Sequence, residues 1–573
     1  MSYELLNKRG SFLKAQSSFM KIALAQLNYH IGNFELNVQK IIKTVEEAKT
    51  SNADIVVFAE LAVCGYPARD FLEFDDFLKQ CEKAINDIAA HAHDIAIIVG
   101  APTRNPRIEG KDLFNSAYFL ANGKVQQVQH KTLLPTYDIF DEYRYFEPAT
   151  EWKVIEYKNT RIALVVCEDM WNVGNDNPLY TVCPLDEMMS QKPEVIINIS
   201  ASPFAYDHAA ERLAVMRNNT DRYKLPLFYV NHVGAQTDII FDGASLVISP
   251  NSELYDELPY FVESVRVYDV ADVIRGRGRD VACNVSTNYE QPKNKTALIH
   301  DALILGLRDY FAKMNLKTAI LGLSGGIDSA VVVALAAEAL GAQNVRVVLL
   351  PSQFSSDHSI NDARALAKNL NVQYDIVPIE PMFKSYETAL SPHFLGTQFN
   401  ITEENLQARI RGTILMAFSN KFGNILLNTS NKSEMAVGYG TLYGDMCGGI
   451  SVLGDVYKTE VYELARYFNR NGEVIPKSSI EKPPSAELRP NQKDSDSLPD
   501  YDILDKLLYQ YIERRQGPNE IIAMGFDAAL VHRVLRLVNI NEFKRKQTAP
   551  VLRVSPKAFG DGRRIPIVAK YLS

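Results

Sequence analysis

Ala319-Ile320-Leu321-Gly322-Leu323-Ser324-Gly325-Gly326-Ile327-Asp328-Ser329 leads from an apolar strand through paired glycines into the strongly helical stretch Ala330 to Leu340. A buried strand, a tight glycine turn and a helix in that order open a parallel α/β unit. Paired glycines admit positive φ and close backbone approach, and the helix N-terminus offers free N–H groups and a favourable dipole. Gly322, Leu323, Ser324, Gly325, Gly326, Ile327, Asp328 and Ser329 therefore read as a cradle for phosphate. Taken alone, the same run reads equally as a strand-to-helix turn capped by Asp328. A carboxylate beside a phosphate nest suits a Mg²⁺ ion that reconciles the charges. The Gly-Lys-Ser/Thr ending of the ordinary P-loop is missing, which argues against an ATPase or kinase of that type.

Downstream of this run, strand and helix patterns alternate: Val345 to Leu350, Ser359 to Leu370, Tyr374 to Ile379, Asn405 to Lys421 and Ile425 to Asn428. That alternation predicts a doubly wound parallel sheet. Lys482 to Asp500 is rich in Pro, Ser and charge, and reads as a mobile loop or lid. Upstream, polarity rises around Gln291-Pro292-Lys293-Asn294-Lys295, before a helical stretch from Thr296 to Lys313. A domain junction is expected there, with one domain over 20–285 and a second over 286–573, and with residues 1–19 as an N-terminal extension. The first half repeats short apolar runs, Ile22 to Leu27, Ile55 to Phe58, Ile95 to Val99, Ile162 to Val166, Val195 to Ile199 and Leu227 to Val230, with helical patterns such as Asn37 to Lys49 and Phe74 to Ala90 between them. They predict an α/β sandwich.

The 573-residue chain is longer than one hydrophobic core usually organises, and its 46% apolar and 23% charged content is that of an ordinary globular protein. A net charge of -8 supplies no electrostatic footprint for nucleic acid, and the short basic run Lys544-Arg545-Lys546 does not change that. Six scattered cysteines, at 64, 81, 167, 183, 283 and 447, form neither a disulfide framework nor a CxxC metal site. No apolar run approaches the ~20 residues of a membrane span, and a cytoplasmic small-molecule enzyme is expected.

Cys167 ends the apolar strand Arg161 to Val166, a corner where a nucleophile is both exposed and rigidly held. Free cysteine is also among the most buried residue types, so the thiol alone reads as a small core hydrophobe. Glu60 follows another apolar strand, Ile55 to Ala59, where a carboxylate near a thiol can act as general base. Lys131 offers a cation that lowers a thiol pKa and stabilises a tetrahedral oxyanion. Singly these are a strand-end charge and a surface lysine; the trio is what points to amide chemistry. Cys64, four residues past Glu60, is the rival nucleophile but follows no strand of its own.

On Phe58-Ala59-Glu60-Leu61, on Lys131 with Leu134-Pro135, and on Cys167-Glu168-Asp169-Met170-Trp171, the region from Met20 to Val281 resembles the carbon-nitrogen hydrolase, or nitrilase, superfamily. The resemblance implies an α-β-β-α sandwich in which Glu60 is the general base, Lys131 the oxyanion stabiliser and Cys167 the nucleophile. In glutamine-using members, Tyr137, Ser202 and His208 would contact glutamine; a basic residue is common where His208 stands, six positions after Ser202. The glycine run of the second half resembles the pyrophosphate loop of the N-type ATP pyrophosphatases, of the adenine nucleotide alpha hydrolase-like fold. Asn428-Thr429-Ser430-Asn431-Lys432-Ser433-Glu434, Gly444-Asp445-Met446-Cys447-Gly448-Gly449 and Val456-Tyr457-Lys458-Thr459 narrow the likeness to the NAD synthetase family, in its glutamine-dependent form. By that likeness Gly322 to Ser329, Thr429 and Lys458 bind ATP, Asp328 and Glu434 hold Mg²⁺, and Asn405, Glu434 and Lys546 contact the substrate nicotinic acid adenine dinucleotide (deamido-NAD). Each of these last three has a local reading too: Asn405 as a cap of the helix it precedes, Glu434 as a helix first-turn carboxylate, Lys546 as a solvated face. The resemblance further implies amidation of deamido-NAD with nitrogen cut from glutamine, and a homodimer or higher homo-oligomer.

Overall fold

The computed structural model describes residues 20–174, 178–276, 294–490 and 492–572. The N-terminal extension, Cys283 and the expected junction at 285/286 lie outside the described residues.

Two six-stranded sheets build the first half. One runs in the order Ser264–Asp269, Lys21–Gln26, Ile55–Val57, Ala96–Arg104, Leu113–Ala121, Lys124–His130, and the other in the order Leu254–Glu257, Leu246–Ile248, Leu227–Val230, Val195–Ile199, Thr160–Val166, Ile155–Tyr157. Strand alternation decides what each face covers. Ile162, Leu164 and Val166 point into the core shared with Ile22, Leu24, Val57 and Ile97 of the opposite sheet. Ala163 and Val165 point the other way, against Leu185, Met188, Val215 and Met216 of the outer helices Pro184–Met189 and His208–Tyr223. The helices Phe34–Thr50 and Asp75–Ala89 contribute Ile41, Val45, Ile85 and Ile88 to the core on the first sheet's side. An α-β-β-α sandwich follows.

Within each sheet three strands are parallel: Lys21–Gln26, Ile55–Val57 and Ala96–Arg104 in one, Thr160–Val166, Val195–Ile199 and Leu227–Val230 in the other. Parallel strands discharge their C-terminal ends along a single edge, and in this fold those ends carry Glu60, Cys167, Ser202 and His232.

The second half is a five-stranded parallel sheet ordered Gln373–Ile376, Val345–Leu349, Ala319–Gly322, Ile425–Asn428, Ile450–Ser451. The chain winds outward in one direction from Ala319–Gly322 and then returns to its other side, so the glycine run sits at the switch point of the topology, where such sheets bind ligands. The all-apolar Val331 to Ala336 stretch is buried because the helix Ile327–Leu340 is covered on every side. Helices Tyr501–Ile512, Pro518–Ala523 and Ala528–Ile540 add a separate apolar cluster around Leu507, Val534 and Leu535.

The halves share a core. Val233 and Ile240, from the hairpin Val233–Gln236/Ile239–Asp242 of the first half, belong to the same apolar cluster as Ala302, Leu303 and Leu307 of the helix Lys295–Lys313. The helix expected over Asn405 to Lys421 spans Ile401–Phe422, with Asn400 accepting from Thr402 N at 2.8 Å. Asn405 therefore lies inside the helix and does not cap it.

Candidate active sites

At the edge of the sandwich Lys131 Nζ donates to Glu60 Oε1 at 2.8 Å and to Glu142 Oε1 at 2.9 Å, with all three side chains buried. Glu60 is fixed further by Asn115 Nδ2 at 2.7 Å and by the backbone N–H of Ala201 at 2.9 Å, while His232 Nε2 donates to its carbonyl at 2.6 Å. Cys167 stands at the strand-to-turn corner in the left-handed region, at φ 46°, and is 5% exposed. A non-glycine residue held there stores local strain, a common feature of nucleophile turns. The turn is locked by Asp169, whose carboxylate accepts from Thr132 N (2.9 Å), Leu133 N (2.8 Å) and Val166 N (3.1 Å). One carboxylate thus joins the Cys167 corner to the Lys131 loop.

Burial and the Glu60 carboxylate push the Cys167 thiol well above its ordinary pKa, against the pull of Lys131. The resting nucleophile is a thiol that needs a base. Burial opposes the Lys131 ammonium, but Glu142 and Glu60 outweigh it and hold the group well above the ordinary lysine range. Two of the three donors of Nζ serve these carboxylates, which leaves a third for an oxyanion.

The mouth of this site is formed by Tyr137, 43% exposed, whose hydroxyl donates to Glu168 Oε1 at 3.0 Å; Tyr180 donates to the same oxygen at 2.9 Å. Ser202 is buried and pinned through its backbone N–H to Asn231 Oδ1 at 2.8 Å. His208 opens the helix His208–Tyr223, its ring edge-on to Trp171 at 5.3 Å and its Nε2 buried with no protein partner. Burial, together with Arg212 and Arg553, drives its pKa down to about 3, so His208 is a neutral hydrogen-bonding group. Cys64 is buried in an apolar cluster with Leu61, Tyr66 and Cys81. Glu142 was not singled out from sequence: it sits in a one-turn 3-10 segment, Glu142–Arg144, with no strand before it to mark it.

In the second half a cavity of about 310 Å³ is walled by the glycine run, Thr429, Glu434 and Lys458, together with Arg411 and Asp494. Gly325 has φ 80°, and a Cβ there would lie 2.2 Å from the Ser359 carbonyl oxygen, so only glycine fits. Gly326, not Asp328, caps the helix Ile327–Leu340. The Asp328 carboxylate turns instead to Asn431 Nδ2 at 2.8 Å and to Lys458 Nζ at 2.5 Å. Glu434 lies 3.4 Å from the same Nζ, in the first turn of Lys432–Val437. Burial and the neighbouring Asp328 raise Glu434 to about 8. Burial likewise opposes the charge on Lys458, but Asp328 and Glu434 outweigh it. Two carboxylates that repel each other across one lysine suit a divalent cation. Mg²⁺ is bound through one or two carboxylates and completes its shell with phosphate and water, and Asp328 and Glu434 offer a donor set of that kind.

Asn405 and Lys546 stand apart from this cavity. Asn405 Oδ1 accepts from Thr441 Oγ1 at 2.8 Å, and Lys546 is exposed at the end of the helix Glu542–Arg545. The segment Lys482–Asp500, of which Asn491 lies outside the described residues, folds across the mouth. Glu487 accepts from Ser356 Oγ at 3.0 Å and Ser359 Oγ at 2.7 Å, and Lys482 Nζ donates to Ser359 Oγ at 3.0 Å.

A thiol amidase centre and a phosphate-binding switch point on one chain define an ATP-dependent amidotransferase. Residues 21–277 match the carbon-nitrogen hydrolase family and residues 299–548 match NAD synthase. The chain is 44% identical to a glutamine-dependent NAD(+) synthetase of Synechocystis sp., over 96% of its own length and 99% of that protein's. To the enzyme of the same name from Acinetobacter baylyi it is 42% identical, over 96% and 98%. The solved structure of the Acinetobacter baumannii glutamine-dependent NAD+ synthetase with ADP superposes with a TM-score of 0.74 at 38% identity, covering 96% of this chain and 98% of that one. The chain belongs to the family of glutamine-dependent NAD(+) synthetases.

Proposed function

We propose that the protein hydrolyses glutamine at Cys167 and uses the ammonia to amidate deamido-NAD to NAD⁺ at the glycine loop, releasing glutamate, AMP and pyrophosphate. The observation that carries this reading is the buried Cys167, Glu60 and Lys131 constellation on the same chain as the Gly325 cradle with its paired carboxylates.

Glu60 takes the thiol proton as Sγ attacks the glutamine side-chain carbonyl, and the oxyanion of the tetrahedral adduct meets the remaining donor of Lys131. Glu142 holds that lysine charged and in place. Collapse of the adduct breaks the C–N bond, Glu60 returns the proton to the leaving nitrogen, and water later clears the glutamyl thioester. Tyr137, Ser202 and His208 are assigned to glutamine. At the second site the carboxylate of deamido-NAD displaces pyrophosphate from ATP, and ammonia then displaces AMP from the acyl adenylate. Gly325 and Gly326 bring backbone close to the phosphates; Thr429 and Lys458 are assigned to ATP, and Asn405, Glu434 and Lys546 to deamido-NAD. Asp328 and Glu434 would hold Mg²⁺, which supplies charge neutralisation at the phosphates. Ammonia in neutral water is mostly protonated, so efficient transfer needs an enclosed path between the sites. A homo-oligomer in the cytoplasm completes the proposal.

The test is product analysis with glutamine, ATP, Mg²⁺ and deamido-NAD. NAD⁺, AMP and glutamate in equal amounts are expected; ATP cleavage to ADP, or no NAD⁺, would overturn the reading.

A further inference from the structure

The loop from Lys131 to Glu142 carries that lysine at one end, the carboxyl group that holds it at the other, and the glutamine lip, Tyr137, between them. Next to Tyr137, Asp138 adopts a left-handed φ of 54° and turns its carboxylate away from the sandwich, toward the C-terminal segment of the other half. There it pairs with the Arg553 guanidinium and accepts from Lys557 Nζ at 3.2 Å, with 14% of its side chain exposed. A Cβ on Gly562 would stand 2.8 Å from Asp138 Oδ1, so the C-terminal segment packs directly against this carboxylate.

The gripping segment is itself rigid. Lys432 Nζ, buried in the synthetase half, donates to the Lys557 carbonyl at 3.0 Å and to Ser555 Oγ at 2.8 Å, and is neutralised by Asp455 at 2.9 Å and Glu513 at 2.7 Å. Asp455 also accepts from the backbone N–H groups of Val554 (2.8 Å) and Ser555 (2.7 Å). A tail fastened at so many points holds the Asp138 end of the lip in one place, while Tyr137 reaches the sandwich through its hydroxyl on Glu168.

We propose that Asp138, gripped by Arg553 and Lys557, is a positioning residue of the glutamine site, so that the synthetase half completes the glutaminase lip. The inference rests on the glutaminase reading of Cys167, which the parent enzyme's own glutaminase activity tests separately. Releasing Asp138 frees Tyr137 from its bound position and weakens glutamine binding more than it slows chemistry at Cys167. In the full-length protein, Asp138→Ala is expected to raise the KM for glutamine about fivefold, the size of a coupled ion pair, with a smaller change in kcat. Ammonium-driven NAD⁺ formation should stay at the parent level. Lys557→Met should act in the same direction, the Asp138→Ala/Lys557→Met double variant should lose less than the product of the two effects, and Asp138→Glu should recover part of the loss. A KM within twofold of the parent, a multiplicative double variant, or an equal fall in ammonium-driven synthesis would each overturn the proposal.

Discussion

Cys167 is a strained, buried thiol whose surroundings raise its pKa, and that sets how it must behave. With glutamine absent, alkylation by iodoacetamide should be slow at pH 7 and climb steadily with pH, because each rise increases the thiolate fraction; a plateau by pH 7 would mean a preformed thiolate and refute the base role of Glu60. Cys167→Ala should cut glutamine-driven NAD⁺ formation by ~10³-fold or more and leave ammonium-driven formation intact, since the thiol serves only ammonia release. Survival of glutaminase activity in that variant, or its loss in Cys64→Ala, would move the nucleophile. Asp328→Ala and Glu434→Ala should instead depress synthesis with either nitrogen source, with partial recovery at high Mg²⁺. Full ammonium-driven rates in both would cancel the metal assignment. Strand ends made Glu60 and Cys167 legible in the sequence, because an apolar run that stops at a polar residue marks where a side chain emerges from a sheet. Glu142 follows an irregular loop rather than a strand, and only the three-dimensional path to Lys131 brings it in. The local alternative for Asp328, a helix cap, gives way because its partners, Asn431 and Lys458, lie more than a hundred residues away.

At the scale of elements, most parallel strands of both halves were readable because strands buried on both faces leave continuous apolar runs, whereas the two-residue strand Ile450–Ser451 leaves none. The hairpin Val233–Gln236/Ile239–Asp242 was not: Val233, Ala235 and Ile240 are apolar for the sake of a cluster with the helix Lys295–Lys313, a partner with no local signal in the sequence, while Ile239 and Phe241 face the first half's own apolar cluster. The Lys482–Asp500 segment stood out by composition; residues 482–488, which cross the cavity, are held by polar contacts, Glu487 to Ser356 and Ser359, Lys482 to Ser359, and the Leu488 carbonyl to Gln407 Nε2 at 2.9 Å, whereas Leu498 near the far end is buried against Leu504 and Leu507. Such a strap buries little apolar area to offset its ordering entropy, so ligands that fill the cavity beneath it should help hold it down. Proteolysis within it is expected to slow when ATP, Mg²⁺ and deamido-NAD are all present, and shortening it should raise AMP released per NAD⁺ formed as water reaches the acyl adenylate. Ligand-indifferent cleavage together with an unchanged AMP to NAD⁺ ratio would reduce the strap to a surface loop.

For the whole molecule, the decisive fact is that sequence separates two catalytic units while packing does not. Gly306, midway along Lys295–Lys313, marks where the two are pressed together: a Cβ there would lie 2.9 Å from a Leu552 methyl and 3.3 Å from Ile240 of the sandwich. Near it, Lys313 Nζ donates to Asn28 Oδ1 at 2.7 Å and to the carbonyls of Tyr29 (2.9 Å) and Ala235 (2.8 Å), and Asp309 accepts from Asn28 Nδ2 at 2.8 Å and Ala235 N at 2.7 Å. An apolar core shared across such a polar frame makes the halves one cooperative unit, so heat should remove both activities together. Gly306→Val overfills that contact and should destabilise the protein by about 1–3 kcal/mol. The expected result is one calorimetric transition, shifted down, with glutaminase and ammonium-driven synthesis lost at the same lowered temperature. Two transitions, or loss of only one activity on heating the variant, would mean that the halves fold separately and that the shared cluster is only a docking surface.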